Sequence, residues 1–229
     1  MTFEEIKQRL TALDTACMCD ANKALRASDP TVREIRVVDS SIRPIRTGLI
    51  LVGRAHTVTC RDDFLTVIKG LHDAEPGEAL VVDAQGSRRA MAGELFPTEA
   101  SRKGLAGMII DGPCRDTKTI KTLEFPYYAR SVTPMAGTTS KIFETQVPIQ
   151  CGGVTVTPGD IVFGDDDGIV VTTIEEASTL IPVAEEIQRK ENVLLKTMAE
   201  GVSLLEMLNF EEHCSAISTG KDSKLVITV

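Results

Sequence analysis

Several common signatures are missing from this chain of 229 residues. No apolar run approaches the roughly 20 residues needed to cross a bilayer. The N-terminus, MTFEEIKQRL, is charged and lacks the apolar core of a signal peptide. A soluble, cytoplasmic protein with no membrane partner is expected. Basic residues are outnumbered: 25 Lys and Arg against 33 Asp and Glu leave a net charge of −8. Nucleic-acid binding needs a basic face to neutralise phosphate, so that partner class is not expected. The six cysteines form no CxxC pair. A chain long enough to bury its own core needs no disulfide framework, so buried reduced thiols are expected. The three histidines are far apart and no HExxH, GxGxxG or P-loop pattern occurs.

What is present reads as one domain, residues 1–229, on an α/β plan. At 42% apolar, the chain can bury one sizeable core. N-terminal helices are expected within 2–26, at 2–12 and 15–26, and a core from about 45 to 173. GLILVGRAHTVTC (48–60) reads as one strand or two, and DFLTVIKGLHDA (63–74) has helical spacing. Then strand and helix alternate: 79–84, 94–104, 106–112, 115–124 and 126–131. Short links between them imply a parallel sheet. Residues 144–173 are rich in Val, Ile and Thr and broken by Gly-Gly, Pro-Gly and Asp-Asp-Gly, the pattern of antiparallel strands and tight turns. C-terminal helices follow within 174–210, at 174–201 and 203–210, with a kink or break at Pro182. The tail, 215–229, ends in KLVITV, an edge strand or a loose end.

In parallel α/β units, sites form where strand C-termini meet helix N-termini. Asp83 and Asp111 end two such strands. Arg115 and Asp116 open the helix after the second, and Gly93-Glu94-Leu95-Phe96 opens the helix before it. Pro97 suits a first helical turn, and the free N–H groups of Glu94, Leu95 and Phe96 could bind an anion. A carboxylate at Asp116, stabilised by the helix dipole, can hold Mg²⁺ or Mn²⁺. Arg115 offers a planar fork for a substrate carboxylate. The alternative is a capping Asp beside a surface Arg. Arg88 and Arg89, in the loop that overhangs these residues, could read a second acidic group or be solvated charge.

Five segments carry a resemblance to a known family: "VGRAHTVTC", "GEL" at 93–95, "GLAGMIIDGPCRD", "VTPGDIVFGDDDGIVV" and "RKENVLLKTMAEGVSLLE". Over about residues 15–208 the chain resembles the RraA-like family, which includes divalent-metal-dependent 4-hydroxy-4-methyl-2-oxoglutarate aldolases. The family signature is an acidic residue, twenty residues, then Arg-Asp; here Glu94 precedes Arg115-Asp116 by that spacing. The resemblance implies a three-layer β/β/α sandwich like the swivelling phosphohistidine domain, and a trimer or a hexamer of two trimers. It implies Asp116 as the Mg²⁺ (or Mn²⁺) ligand, Arg115 as a substrate-binding and catalytic residue, and Glu94 as the acid that positions a water. Gly93 with the N–H groups of Leu95 and Phe96 would bind the pyruvate-like carboxylate. Glu191 matches an acid supplied by a neighbouring subunit, or is a solvated residue in a charged run. Two departures stand out: the upstream acid is Glu, and Thr119 occupies a position that is often acidic. The implied activity is retro-aldol cleavage of a 4-hydroxy-2-oxo acid to pyruvate, with oxaloacetate decarboxylation as a side activity. A metal-dependent hydrolase or hydratase is the alternative enzyme. A regulator of ribonuclease E-type RNA turnover is the non-enzymatic alternative. Asp165-Asp166-Asp167-Gly168 lacks the pattern of a calcium loop and reads as a turn.

Overall fold

Ten strands can be traced in chain order: β1 (Arg36–Val37), β2 (Arg43–Pro44), β3 (Leu51–Thr59), β4 (Glu78–Asp83), β5 (Gly107–Cys114), β6 (Tyr127–Val132), β7 (Ile149–Cys151), β8 (Val154–Val156), β9 (Ile161–Gly164) and β10 (Ile169–Thr172). Eight of them form one mixed sheet in the order β1-β10-β9-β3-β4-β5-β6-β2. The middle four, β3 to β6, are parallel. Their runs, such as ALVVD and GMIID, are apolar at successive positions because both faces are covered. The flanking pairs are antiparallel. The remaining two strands, β7 and β8, form a separate hairpin turned by Gly152-Gly153, both at positive φ.

The computed structural model describes residues 1–227. They fall into two compact units, Met1–Ala184 and Glu185–Val229. The first unit holds the sheet with helices α1 (Phe3–Leu10), α2 (Thr15–Ser28), α3 (Leu65–Asp73), α4 (Leu95–Arg102) and α5 (Thr117–Ile120). Helix α6 (Ile174–Ala199) starts in it. Side chains alternate along each strand. Leu80, Val82, Met108, Ile110 and Cys114 therefore meet α3 and α4 on one face of the sheet. Val81 and Ile109 meet the β7–β8 hairpin on the other. The second unit holds the end of α6, a 3₁₀ turn at Leu204–Met207 and α7 (Phe210–Ser218).

Most expected elements are present, and the exceptions have local causes. Strand β5 runs on through Pro113 and Cys114, and the helix expected over 115–124 is the single turn α5. Thr117, Thr119 and Thr122 are poor helix formers, and the Thr122 hydroxyl bonds the Thr119 carbonyl at 2.7 Å. Helix α6 continues past Pro182 without a break. The helix expected at 203–210 divides into the 3₁₀ turn and α7, and α7 extends into the expected tail. Of KLVITV, Ile227 bridges Leu208, while Thr228 and Val229 lie outside the described residues. All six cysteines are free. The Asp165–Gly168 segment is the β9–β10 turn, and two of its three carboxylates are occupied internally. Asp165 accepts the Thr15 N–H and hydroxyl at 2.7 and 2.8 Å, and Asp166 accepts the Gly48 N–H at 2.8 Å. No helix among the described residues is long and apolar enough to cross a membrane.

Candidate active site

Beyond the C-terminal ends of the parallel strands, four extended segments lie side by side. Arg115 N–H bonds the Ala92 carbonyl at 3.1 Å, and Met91 N–H bonds Pro113 at 3.0 Å. Ala90 N–H bonds Met135 at 2.7 Å, and Thr138 N–H bonds Asp62 at 2.9 Å. These bonds press the stretch before α4 against the end of β5. The consequence is close packing of Gly93 on Arg115 and Asp116. A Cβ added at Gly93 would overlap Asp116 Oδ2 and stand 3.1 Å from Arg115 Cγ and Nε. Glycine leaves room for the Asp116 carboxylate where it stands, and a Cβ there would displace that side chain.

Asp116 sits in the left-handed region at φ 59° and ψ 33°, which Asp tolerates better than most residues. The Arg115 Nε lies 3.3 Å from Asp116 Oδ2, and the Glu94 N–H bonds the same oxygen at 3.4 Å. Asp116 Oδ1 has no partner among the described residues. Both side chains are about two-fifths exposed. The expected stabilisation of Asp116 by a helix dipole is not found: Asp116 precedes a four-residue turn and makes no side-chain cap. The α4 end is closer to expectation. Glu94 N–H goes to Asp116 and Phe96 N–H turns back to the Gly93 carbonyl at 3.2 Å. The Leu95 N–H has no partner among the described residues, and Leu95 is 74% exposed. Phe96 packs edge-on against Phe64, with centroids 5.8 Å apart. The Glu94 carboxylate makes no hydrogen bond among the described residues and is half-buried. Thr119 is exposed on the α5 turn.

The structure thus brings together Gly93, Glu94, Leu95, Phe96, Arg115 and Asp116. Glu191 lies on the part of α6 that belongs to the second unit, exposed, beside the Glu186–Arg189 and Glu186–Lys190 ion pairs. Asp83 and Asp111 do not join the cluster. They share the hairpin face with Val81 and Ile109. There Asp111 accepts from Arg130 Nε at 2.5 Å and from the Gly152 N–H at 2.6 Å. Burial, with Asp111 nearby, pushes the Asp83 carboxyl above its ordinary range. Strand alternation from Ile109 carried this signal in the sequence.

Two further residues matter. Asp63 was not singled out from sequence. It is buried and accepts from Thr138 Oγ1 at 2.7 Å and from the N–H groups of Ser140, Lys141 and Leu65 at 2.6, 3.1 and 3.0 Å. Burial would raise its pKa, but these bonds outweigh burial and hold it down to about 2. Asp63 thereby fixes the 138–141 loop to the start of α3. Arg89 donates to the Ala136 carbonyl at 3.0 Å and braces the same layer, whereas Arg88 is exposed and makes no bond among the described residues. Burial pushes the Cys114 thiol, next to Arg115, up to about 11, so it stays protonated near neutral pH.

The residues fit a hard divalent cation. Among the described residues no three His, Cys, Asp or Glu side chains converge as a cage. Mg²⁺, however, commonly takes one or two carboxylates and fills its remaining positions with water and substrate. Asp116 offers an accessible oxygen on a carboxylate whose seat Gly93 keeps clear. A cavity of about 480 Å³ between α2 and the start of α6, lined by Asn22, Leu25, Val32, Ile35 and Leu180, contains none of these residues.

The chain is similar to known proteins over most of its length. The family described as RraA-like, Aldolase/RraA, matches residues 15–171. A protein of Halalkalibacterium halodurans named "Putative 4-hydroxy-4-methyl-2-oxoglutarate aldolase" is 31% identical over 191 residues, covering 83% of this chain and 87% of the relative. Among solved structures, Streptomyces coelicolor RraAS2, described as an unusual member of the RNase ES inhibitor RraA protein family, is 27% identical with a TM-score of 0.69. The match covers 82% of this chain and 94% of that one. An uncharacterized protein from Pseudomonas syringae pv. tomato shares the fold, with a TM-score of 0.75 at 23% identity over 89% of this chain and 96% of its own.

Proposed function

The chain belongs to the Aldolase/RraA family, and from that premise we propose that it is a divalent-metal-dependent lyase cleaving a 4-hydroxy-2-oxo acid to pyruvate. The observation that carries the reading is the seat of Asp116: an accessible carboxylate, packed on Gly93, with Arg115 and Glu94 beside it. A cation held on Asp116 would supply Lewis-acid polarisation of the 2-oxo group. The remaining work falls to the chain. The unpartnered Leu95 N–H accommodates the substrate carboxylate. Arg115 faces the 2-oxo oxygen, where negative charge develops as the C3–C4 bond breaks and its electron pair moves toward C2. Glu94, directly or through a water, takes the C4 hydroxyl proton and returns a proton to C3. The same charge development accompanies loss of CO₂ from oxaloacetate, so that side activity belongs to the proposal. The longer Glu94, in place of Asp, and Thr119 are the positions at which substrate or reaction would differ, toward hydrolysis or hydration at the extreme. The layering as a swivelling phosphohistidine-like sandwich, the trimer or hexamer, and a Glu191 supplied by a neighbouring subunit complete the reading.

Coupled detection of pyruvate from a panel of 4-hydroxy-2-oxo acids, with Mg²⁺ or Mn²⁺ and with chelator, tests it. Metal-dependent release is expected, and its absence across the panel overturns the proposal. A second reading, regulation of RNA turnover, draws on the likeness to the Streptomyces chain. Inhibition of a purified ribonuclease E by this protein, unaffected by Asp116→Asn, would favour it.

A further inference from the structure

The cavity between α2 and the start of α6 lies wholly within the first unit and shares no residue with the candidate active site. At about 480 Å³ it has the size of a small-molecule site. Its walls are apolar: Leu25 of α2, Val32 and Ile35 of the segment between α2 and β1, and Leu180 of α6. Bonds within the chain fix their spacing. Asn22 is buried, and both ends of its amide hold the 33–35 segment to α2. Its Nδ2 donates to the Arg33 carbonyl at 2.8 Å, and its Oδ1 accepts the Ile35 N–H at 3.1 Å. On the facing wall Glu176 closes the start of α6. It accepts the Thr173 N–H at 2.9 Å and the Thr172 hydroxyl at 3.3 Å, while the Thr173 hydroxyl accepts the Glu176 N–H at 3.2 Å. A cavity whose polar lining is already bonded is preformed.

The charges around this cavity are mostly paired. Arg26 lies 3.3 Å from Glu34. Arg36 donates to Asp160 at 2.6 Å and lies 3.9 Å from Glu176. Two lining charges are left over, the Arg33 guanidinium and the Glu175 carboxylate, and neither has a partner among the described residues. Both side chains reach solvent. The lining therefore offers one free cation, one free anion and an apolar floor. That combination selects among occupants. An apolar acid would engage Arg33 and leave Glu175 against its own negative head. An apolar amine would do the reverse. A peptide segment carries its two terminal charges far apart.

We propose that this cavity is a binding site for a free amino acid with a large apolar side chain. The carboxylate goes to Arg33, whose planar fork matches its two oxygens. The ammonium goes to Glu175. The side chain fills the space between Leu25, Val32, Ile35 and Leu180, where burial of apolar area supplies most of the affinity. The two charged contacts lie at the rim in solvent, so each contributes selectivity on the scale of an exposed ion pair. The inference does not depend on the reading of Arg115 and Asp116.

The test titrates the full chain with L-phenylalanine by calorimetry. A Kd of about 1 mM or tighter is expected. The analogues 3-phenylpropionate, which lacks the ammonium, and phenethylamine, which lacks the carboxylate, should each bind about fivefold more weakly. Arg33→Ala should erase the advantage of phenylalanine over phenethylamine, and Glu175→Ala its advantage over 3-phenylpropionate. Circular dichroism checks that both variants stay folded. Thr179→Trp, which fills the cavity from an exposed lining position, gives an independent arm and should abolish binding. Asp116→Asn should leave the Kd unchanged. A wild type that takes up no phenylalanine overturns the proposal, as does an analogue that binds equally well. Binding that survives Thr179→Trp, or that is lost in Asp116→Asn, places the ligand elsewhere and overturns it too.

Discussion

Two Asp–Arg pairs flank the end of β5, and they behave in opposite ways. Asp111, on the strand, is nearly buried. It accepts Arg130 Nε and the Gly152 N–H, and Arg130 also reaches Asp39 and Ser41. The pair ties β5 and β6 to the hairpin turn and to the loop after β1. Asp116 has left the strand. Its backbone is left-handed, one carboxylate oxygen has no partner among the described residues, and the Arg115 guanidinium beside it is two-fifths exposed. The residue types are the same and the occupancy differs. A pair whose hydrogen-bonding capacity is used inside the chain is structural. A pair left half-open, on a backbone conformation that costs something to hold, is available for chemistry.

Exchanging the tests between the pairs gives the largest expected effects. Asp116→Asn keeps a residue tolerant of left-handed backbone and removes the charge. It should lower metal-dependent kcat/KM at least about a hundredfold, roughly 2.7 kcal/mol, with the unfolding midpoint almost unchanged. Asp111→Ala should do the reverse. Losing charge-assisted bonds costs about 2–3 kcal/mol, which lowers Tm by about 4–12 °C in a chain this long. Once folded, the variant should retain most of its activity. If Asp116→Asn destabilises the protein as much as Asp111→Ala does, the distinction fails. Next in size is Arg115→Lys, expected to cost about tenfold in kcat/KM because a point charge cannot replace a planar fork. A silent Arg115→Lys would make that side chain a surface cation like any other.

Asp63 extends the comparison to pH. Its folded pKa, held to about 2, lies below the ordinary value of 3.8. Its contribution to stability is therefore complete above about pH 4 and is lost as pH falls toward 2. Acid unfolding followed by ellipticity should be steeper in that window for the wild type than for Asp63→Asn. The variant should be less stable at pH 7, and the two should converge near pH 2. Parallel curves would show that the Ser140, Thr138 and Leu65 bonds do not favour the charged form.

Much of this was legible in the sequence, and the parts that were not share a cause. The parallel strands announced themselves by short apolar runs and α3 by its helical apolar spacing. The Glu94 to Arg115-Asp116 spacing placed the candidate cluster. What was hidden depends on contacts distant in sequence. The continuation of β5 through Pro113-Cys114 goes with a bond from the Thr133 N–H to the Cys114 carbonyl at 2.9 Å. The role of Asp63 depends on a loop 75 or more positions away. The departure of Asp83 and Asp111 from the cluster was readable from alternation, but strand ends alone suggested otherwise.

The smallest expected effect separates two neighbouring arginines in the same way as the two pairs. Arg89 is half-buried and spends its guanidinium on the Ala136 carbonyl, whereas Arg88 projects from the loop with no bond among the described residues. By the argument applied to Asp111 and Asp116, Arg89 is structural and Arg88 is available. Arg89→Ala should cost about 1 kcal/mol of stability and weaken all ligands alike by loosening the layer that Ala90 and Ala136 share. Arg88→Ala should leave Tm unchanged. It should raise KM only for a 2-oxo acid with a second carboxylate, by about threefold, the scale of an exposed ion pair. Inhibition by pyruvate or oxalate, which lack the distal group, should not move. Equal weakening of both ligand types by Arg88→Ala would place that residue with Arg89 as part of the scaffold. No change with any ligand would leave it as solvated charge outside the reach of substrate.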